Sequence, residues 1–497
     1  MTDLGAFDVL VVGAGVNGAG IARDAQGRGL RTLLVEKDDL ARGTSSRSSK
    51  LVHGGLRYLQ YYEFRLVREA LTEREVLLAA APHIIRPMRF VLPHSPEQRP
   101  AWLIRVGLFL YDHLGGRKVL PPTRSLDLRR EPEGAPLRKE FARAFEYSDC
   151  WVDDARLVVL NTLDASARGA RVVTRTALVA ARREGDVWSV ALGGAKTARA
   201  RAIVNAGGPW VEEVLRAAEA NSSKNVRLVK GSHIVTRKFW TGEHAYLLQN
   251  ADQRVVFVNP YEGDLALIGT TDMPYAGRPE DVAIDKDEID YLLGVANRYF
   301  IDAPGRRDVL QTFSGVRPLF DDRSNNASAV TRDYAFDLDA PPGSAPILSV
   351  FGGKITTHRR LAEQALKRLK PFFPRMAGAW TEKAPLPGGE LGAPDFDAFV
   401  AALPKRYPWL PHSLLLSLAR RHGARIHEVI FDATSLDELG RSFGAGLTER
   451  EARFLVEREW AGSAADILER RTKCALHMSA PERSAFAAWF DGLGQSP

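Results

Sequence analysis

Residues 7–18 read FDVLVVGAGVNG, and the punctuation of this stretch decides the fold. Residues 9–12 are a continuous apolar run of mostly β-branched side chains, the pattern of a parallel strand buried on both faces. The run ends in Gly13-Ala14-Gly15-Val16-Asn17-Gly18, a G-x-G-x-x-G turn. In such a turn the first glycine permits the tight bend and the second lets a pyrophosphate approach the backbone. The third lets the following helix pack close on its strand. The helix expected over 16–28 carries Ala19, Gly20, Ala22 and Ala25, small enough to lie near a sheet. A second strand, 31–35, ends in Glu36-Lys37. Glu36 stands 18 residues beyond Gly18, near the spacing of roughly 20 for a carboxylate that binds a ribose hydroxyl pair. Strand, helix, strand and acid in this order predict a dinucleotide site.

Outward from this unit, residues 38–55 read DDLARGTSSRSSKLVHGG, with no hydrophobic period. A cofactor extending from the first turn would pass here, where Thr44, Ser45, Ser46 and Ser49 offer hydroxyls. His53-Gly54-Gly55-Leu56-Arg57-Tyr58 sets a titratable ring beside glycines that allow close backbone approach. An amphipathic helix is expected over 63–81 and a strand over 88–93. Residues 102–111 are strongly apolar, interrupted by Arg105 and flanked by basic residues. They read either as a buried helix or as an interfacial helix on an anionic bilayer. The acids and aromatics of FEYSDCWVDD, 145–154, have no explanation in the sequence alone. A helix follows over 156–167 and strands over 171–174 and 178–190.

Two further strands run into glycines, at Ala206-Gly207 and at Gly352-Gly353-Lys354, the second opening a helix near Thr356. Between 227 and 314 the pattern shortens to alternating segments, 231–236, 255–260 and 265–271, as in an antiparallel sheet roofing the site. His233 and Thr270 stand at its strand ends. A Pro- and Gly-rich linker spans 383–394, and the remainder reads as helical.

The 497 residues exceed one hydrophobic core, so two or three domains are expected. The 68 Lys and Arg against 61 Asp and Glu leave a charge of +7, which suits an anionic ligand or surface. No run of basic residues interleaved with aromatics points to nucleic acid. Two cysteines, Cys150 and Cys474, indicate neither a disulfide framework nor a metal cluster. No apolar run reaches the ~18 residues that span a bilayer, and the immediate entry into a strand leaves no room for a signal peptide. A soluble or peripheral protein is expected.

One fingerprint, a long polar stretch after Glu36 and two more glycine-ended strands suit one extended cofactor, so FAD fits better than a nicotinamide. Arg57, Arg317, Arg332 and Lys354 sit beside glycine, proline or strand-end positions, and their chemistry favours an anionic small substrate. The motifs TSSRSSKLVHGGLRYLQYYEFRLVREAL, FEYSDCWVDDARL, KGSHIV, SGVRPL, TRDY and FGGKITT, with EWA and RRTK near the end, resemble the aerobic FAD-dependent glycerol-3-phosphate dehydrogenases of bacteria. The resemblance covers essentially the whole chain. One departure is His358, where a tyrosine is expected.

The resemblance implies an α/β fold: a Rossmann-type FAD-binding domain of the glycine-oxidase-like, glutathione-reductase type, an antiparallel β cap and a helical carboxyl-terminal domain. The expected boundaries are 1–75, 150–228 and 329–385 for the FAD domain, 76–149 and 229–328 for the cap, and 386–497 for the last domain. It implies oxidation of sn-glycerol 3-phosphate to dihydroxyacetone phosphate with electrons passing to membrane quinone. A homodimer attached peripherally to the cytoplasmic face of the inner membrane is implied as well. FAD is expected on Gly13, Gly15, Asn17, Gly18, Glu36, Lys37, Thr44, Ser45, Ser46, Ser49, Leu51, His53, Gly54, Gly55, Ala206, Gly207, Gly352, Gly353, Lys354 and Thr356. Substrate is expected on Arg57, Tyr58, His233, Thr270, Arg317, Arg332 and Lys354. The base is His53 or His233, with His53 preferred because its segment is already tied to the flavin. Arg317 would hold phosphate and Lys354 would stabilise developing negative charge. A same-fold oxidase passing electrons to O₂, and a non-catalytic basic membrane- or nucleic-acid-binding protein with a vestigial nucleotide fold, are the alternatives.

Overall fold

In the computed structural model, which describes residues 2–116, 119–250, 252, 254–320 and 333–493, the strand Thr2–Val12 lies inside a parallel sheet. Ile347–Gly352, Lys196–Asn205, Thr2–Val12, Thr32–Val35 and Arg171–Val173 run across it in that order, each pair parallel. Tyr334–Asp339 closes one edge in the antiparallel sense. The 178–190 stretch doubles back at Gly185, whose φ is 65°, so it forms the hairpin Leu178–Glu184 and Val187–Leu192. Val9, Leu10 and Val11 have no solvent exposure, as their unbroken apolar run predicts.

The turn after this strand is set by backbone contact. Gly13 has φ 99°, and a Cβ there would stand 2.6 Å from the Ala206 carbonyl oxygen. A Cβ on Gly18 would stand 1.8 Å from the Gly13 carbonyl oxygen, so only glycine lets the helix start this close. That helix, Val16–Gly27, packs against Asp154–Ala167 and His358–Leu369 within one apolar core. His358 is buried against it. Its Nδ1–H donates to the Ile355 carbonyl at 2.7 Å, its ring lies over Gly20, and burial pushes its pKa down to about 4. The departure from tyrosine at 358 is therefore a packing position.

The second sheet is wider than the 227–314 segments imply. Its ten strands run Met273–Pro274, Val226–Arg237, Leu265–Gly269, Val255–Tyr261, Ala245–Gln249, Ile85–His94, Arg143–Val152 and Leu51–Val52, with Gln311–Phe320 and Arg124–Asp127 as side branches. It is antiparallel except where Ala245–Gln249 meets Ile85–His94 in parallel. The irregular 38–55 stretch contributes its last strand, Leu51–Val52, and so passes between the two sheets.

Helices from Phe396–Arg406 to Ala480–Leu493 enclose a separate apolar cluster. Buried ion pairs dock this unit. Asp39 accepts from Arg470 Nε and from Arg471 Nη1 and Nη2, all at 2.7 Å. Arg156 pairs with Glu459, and Lys473 with Asp153 at 2.5 Å. Removing one partner of a buried pair costs about 3–5 kcal/mol, because the other charge remains desolvated. Asp39→Asn should therefore lower the thermal midpoint and speed proteolytic cutting in the 383–394 linker. An unchanged midpoint would place the docking energy in the apolar contacts instead.

Candidate active site

A cavity of about 990 Å³ opens at the carboxyl ends of the parallel strands and extends beneath the second sheet. Gly13, Gly15, Asn17, Glu36, Lys37, Thr44, Ser45, Ser49, Leu51, His53, Gly55, Arg57, Tyr58, Ala206, Gly207, Thr270, Arg317, Gly352, Gly353, Lys354 and Thr356 all line it. The structure thus gathers most of the expected residues into one space. Gly18, Ser46, Gly54 and His233 do not line it, and Arg332 lies outside the described residues. Gly18 serves the strand–helix contact, and Gly54 faces Leu71 and Tyr111 on the cap side. Ser46 turns to a smaller cavity with Arg47 and Lys50.

The dinucleotide end is built from backbone and one acid. Glu36 accepts from the Ala14 N–H at 2.7 Å and the Asp38 N–H at 2.9 Å, and its carboxylate keeps lone pairs for a ribose. Burial raises its pKa above the ordinary carboxylate value. The amino end of Val16–Gly27 points into the cavity, where its dipole and amides favour phosphate. Asn17 donates to the Gly352 carbonyl at 3.2 Å, while its Oδ1 is buried with no hydrogen-bond partner among the described residues. A buried orphan acceptor beside the phosphate turn fits a bound hydroxyl-bearing cofactor such as FAD. The sequence reading missed Trp210, whose ring lies 3.8 Å from Lys37 Nζ. Its indole N–H and Lys37 both donate to Glu280, which reaches over from the cap.

The opposite end is cationic. Arg317 donates from Nη2 to Thr270 Oγ1 at 3.0 Å and from Nη1 to the Asp272 carboxylate. Lys354 Nζ sits 3.6 Å from the centre of the Tyr58 ring. The His53 backbone N–H donates to Thr356 Oγ1 at 3.1 Å, which leaves the imidazole facing the cavity with Phe257 at its edge. His233 is buried, stacked on Phe313 with centroids 4.9 Å apart, and its Nε2 lies 2.9 Å from the hydroxyl of Ser49, which lines the cavity. Burial, then the charges of Arg317 and Lys50, holds its pKa well below the ordinary imidazole value.

The FEYSDCWVDD acids now have a role. Asp154 accepts from the Ser48 N–H and hydroxyl and from Lys50 Nζ at 2.7 Å. Asp149 accepts from the Gly54 N–H at 3.3 Å, Arg74 at 2.8 Å and Tyr111 Oη at 2.7 Å. The two carboxylates hold both ends of the segment that carries Ser49 and His53. No local sequence signal marks either pairing, since the partners lie 95 to 106 residues apart.

Tyr111 belongs to the helix Ala101–Leu114, which is not the buried helix that was one of its two readings. It buries Leu108 and Tyr111 and exposes Trp102 at 68% and Phe109 at 60%. Leu103, Ile104, Val106, Gly107 and Leu110 form an apolar arm of the same cavity. No helix among the described residues is long and apolar enough to cross a membrane, and they hold no cluster of metal ligands.

The sequence profile of the family described as FAD dependent oxidoreductase matches residues 8–359, and that of the C-terminal domain of alpha-glycerophosphate oxidase matches 379–492. A Brucella abortus protein named D-erythritol 1-phosphate dehydrogenase is 62% identical over 490 residues, 97% of each chain. A glycerol-3-phosphate dehydrogenase of Pseudomonas aeruginosa is 53% identical over 478 residues, 95% of this chain and 93% of its own. The solved structure of the glycerol-3-phosphate dehydrogenase from Bacillus halodurans complexed with FAD aligns with a TM-score of 0.75 at 25% identity. It covers 98% of this chain and 94% of that one.

Hydrogen bonds to charged groups contribute about 1.5–3 kcal/mol, so Glu36→Ala should weaken FAD binding roughly ten- to a hundredfold, read by fluorescence titration of the apoprotein. Because Glu36's pKa is raised, the unsubstituted protein should lose affinity on acidification earlier than an exposed carboxylate would dictate. Equal affinity in both proteins would remove Glu36 from the cofactor site.

Proposed function

The chain belongs to the FAD-dependent oxidoreductase family, and we propose that it oxidises sn-glycerol 3-phosphate to dihydroxyacetone phosphate. The observation that carries this reading is the Arg317–Thr270 fork at one end of the cavity that holds the dinucleotide residues. The near full-length similarity to glycerol-3-phosphate dehydrogenases supports it.

FAD, held by the glycine turn, Glu36 and the 44–55 segment, would supply the two-electron, hydride-accepting chemistry. The chain's own residues do the rest. Arg317 and Thr270 take the phosphate, with Arg57 lining the same cavity, and so fix the position of the substrate's C2. His53 takes the C2 hydroxyl proton as the C2 hydrogen leaves with its electron pair; an imidazole lining the cavity suits that task. His233 acts through Ser49 rather than on substrate. Lys354, stacked on Tyr58, stabilises the negative charge that develops on the oxygen.

A second substrate reading rests on the 62% identity to a D-erythritol 1-phosphate dehydrogenase. That polyol phosphate presents the same secondary alcohol beside a phosphorylated carbon, with one more hydroxymethine beyond it. Anaerobic mixing of the yellow holoenzyme with each compound should bleach the flavin, and the ratio of kcat/KM values names the substrate. Bleaching by neither would overturn the assignment to polyol phosphates. His53→Ala should slow bleaching by about 10²–10⁴-fold and His233→Ala by much less. The reverse order would make His233, through Ser49, the base.

For the acceptor, a membrane quinone is favoured over O₂ by the apolar arm, since the helix that lines it with Leu103, Ile104, Val106 and Leu110 also leaves Trp102 and Phe109 bare. With aromatic side chains outward and Arg105 beside them, this helix suits the headgroup level of an anionic bilayer. The double change Trp102→Glu and Phe109→Glu should abolish co-sedimentation with anionic phospholipid vesicles and spare FAD content. Undiminished sedimentation would move the membrane contact elsewhere.

A further inference from the structure

One acid in the cavity has no part in the chemistry above. Asp272 directs its carboxylate onto the Arg317 guanidinium, with its own side chain 10% exposed. The backbone holds it there from both sides. Thr271 is buried, donating its hydroxyl to Glu288 at 2.7 Å and accepting from the Ser232 N–H at 3.1 Å. Its carbonyl accepts from Arg254 at 2.8 Å. Met273, on the other side, pairs with Lys230. Between them Asp272 adopts φ 51°, a left-handed conformation uncommon outside glycine and concentrated at functional positions. Gly231 makes room for the guanidinium on its other branch, since a Cβ there would stand 2.6 Å from Thr270 Oγ1 and 2.7 Å from Arg317 Nη2.

We propose that Asp272 is an internal counter-anion: it neutralises Arg317 while the site holds no phosphate, and a phosphoryl group must displace it to bind. The proposal rests on the reading of Arg317 as the phosphate anchor. Arg317 gives one terminal nitrogen to Thr270 and the other to Asp272, so a phosphate seeking the guanidinium fork competes for the place the carboxylate occupies. The cost of displacement is the same for every anion, so it weakens substrate, product and ambient phosphate alike. That serves turnover. Substrate and product carry the same phosphate, and an anchor that grips both equally lowers KM without lowering the barrier. Such an anchor would also slow product release. A tethered carboxylate keeps the grip loose and keeps the charge on Arg317 compensated near His233, whose proton affinity burial depresses first and that charge next.

The test uses inorganic phosphate and the oxidised, FAD-loaded enzyme, with binding read from the perturbed flavin absorbance. Asp272→Asn, nearly isosteric, should bind phosphate at least tenfold more tightly, with KM for glycerol 3-phosphate falling in parallel and kcat falling as product release slows. Asp272→Glu, which restores the charge, should return the phosphate affinity toward that of the unsubstituted enzyme. Should the asparagine variant lose FAD, Asp272→Ser takes its place in the same titration. Phosphate binding that is unchanged or weaker without the carboxylate overturns the proposal and makes Asp272 an orienting partner of Arg317. Failure of glycerol 3-phosphate to bleach the unsubstituted enzyme would sink the substrate reading alone, leaving the phosphate comparison intact.

Discussion

The structure depends on holding an irregular polar segment, Thr44 to Tyr58, between two sheets. Backbone amides and carbonyls taken out of water must all find partners, so loops are ordinarily kept at the surface. This one is kept inside by groups that converge from distant parts of the chain. Asp154 takes Ser48 and Lys50, and Asp149 takes Gly54. Thr356 takes the His53 N–H, Asn259 donates to the Ser49 carbonyl, and Thr44 donates to the Val316 carbonyl. Asp154 and Thr356 belong to the neighbourhood of the parallel sheet, and Asp149, Asn259 and Val316 to strands of the cap sheet. The segment is therefore the joint between the two layers, and the cavity exists because the joint is rigid.

That arrangement explains what could be read from residues in order and what could not. The first strand, turn, helix and Glu36 are local: periodicity and glycine spacing carry their own evidence, and the structure puts them where the pattern does. Most hydroxyl and glycine positions after Glu36 were legible because a cofactor extending from the turn has one direction to go. Asp149 and Asp154 were not legible, because a buried carboxylate looks like any acid until its partner, some hundred residues away, is known. The same holds for the breadth of the cap sheet, whose parallel pairing of Ala245–Gln249 with Ile85–His94 joins segments without any shared motif. His233 shows a subtler limit. It was expected at a strand end, yet it lies inside Val226–Arg237, paired across to Gly269 and Phe313. Its ring turns into the core against Phe313, with Ser49 between its Nε2 and the cavity.

Charge tells a similar story at larger scale. The net +7 pointed to an anion, but few of the basic residues serve one. Arg156, Arg470, Arg471 and Lys473 are buried on acids that dock the carboxyl-terminal helices, and their charge is spent within the fold. Arg317 differs because its acid is exchangeable. Asp272 is a tethered partner at the edge of a cavity, whereas Asp39 is enclosed between two guanidinium groups. Buried pairs of the first kind can be broken by a competing anion; pairs of the second kind break only when the domain detaches.

Asp149 also ties the two ends of the reading together. It accepts from Gly54, next to His53, and from Tyr111, on the inner side of the helix whose outer side presents Trp102 and Phe109. The proton acceptor proposed for the substrate and the surface proposed for the bilayer are thus separated by one carboxylate and two hydrogen bonds. In a site where the substrate is water-soluble and the favoured electron acceptor is lipid-soluble, the cavity needs a polar mouth and an apolar mouth that do not merge. Arg317, Thr270 and Asp272 set the polar limit, and Leu103, Ile104 and Leu110 the apolar one. Between them stands the 53–58 segment, and the carboxylate that braces it is anchored on the helix of the apolar side. A rigid brace of this kind keeps the two mouths at a fixed separation whichever of them is occupied.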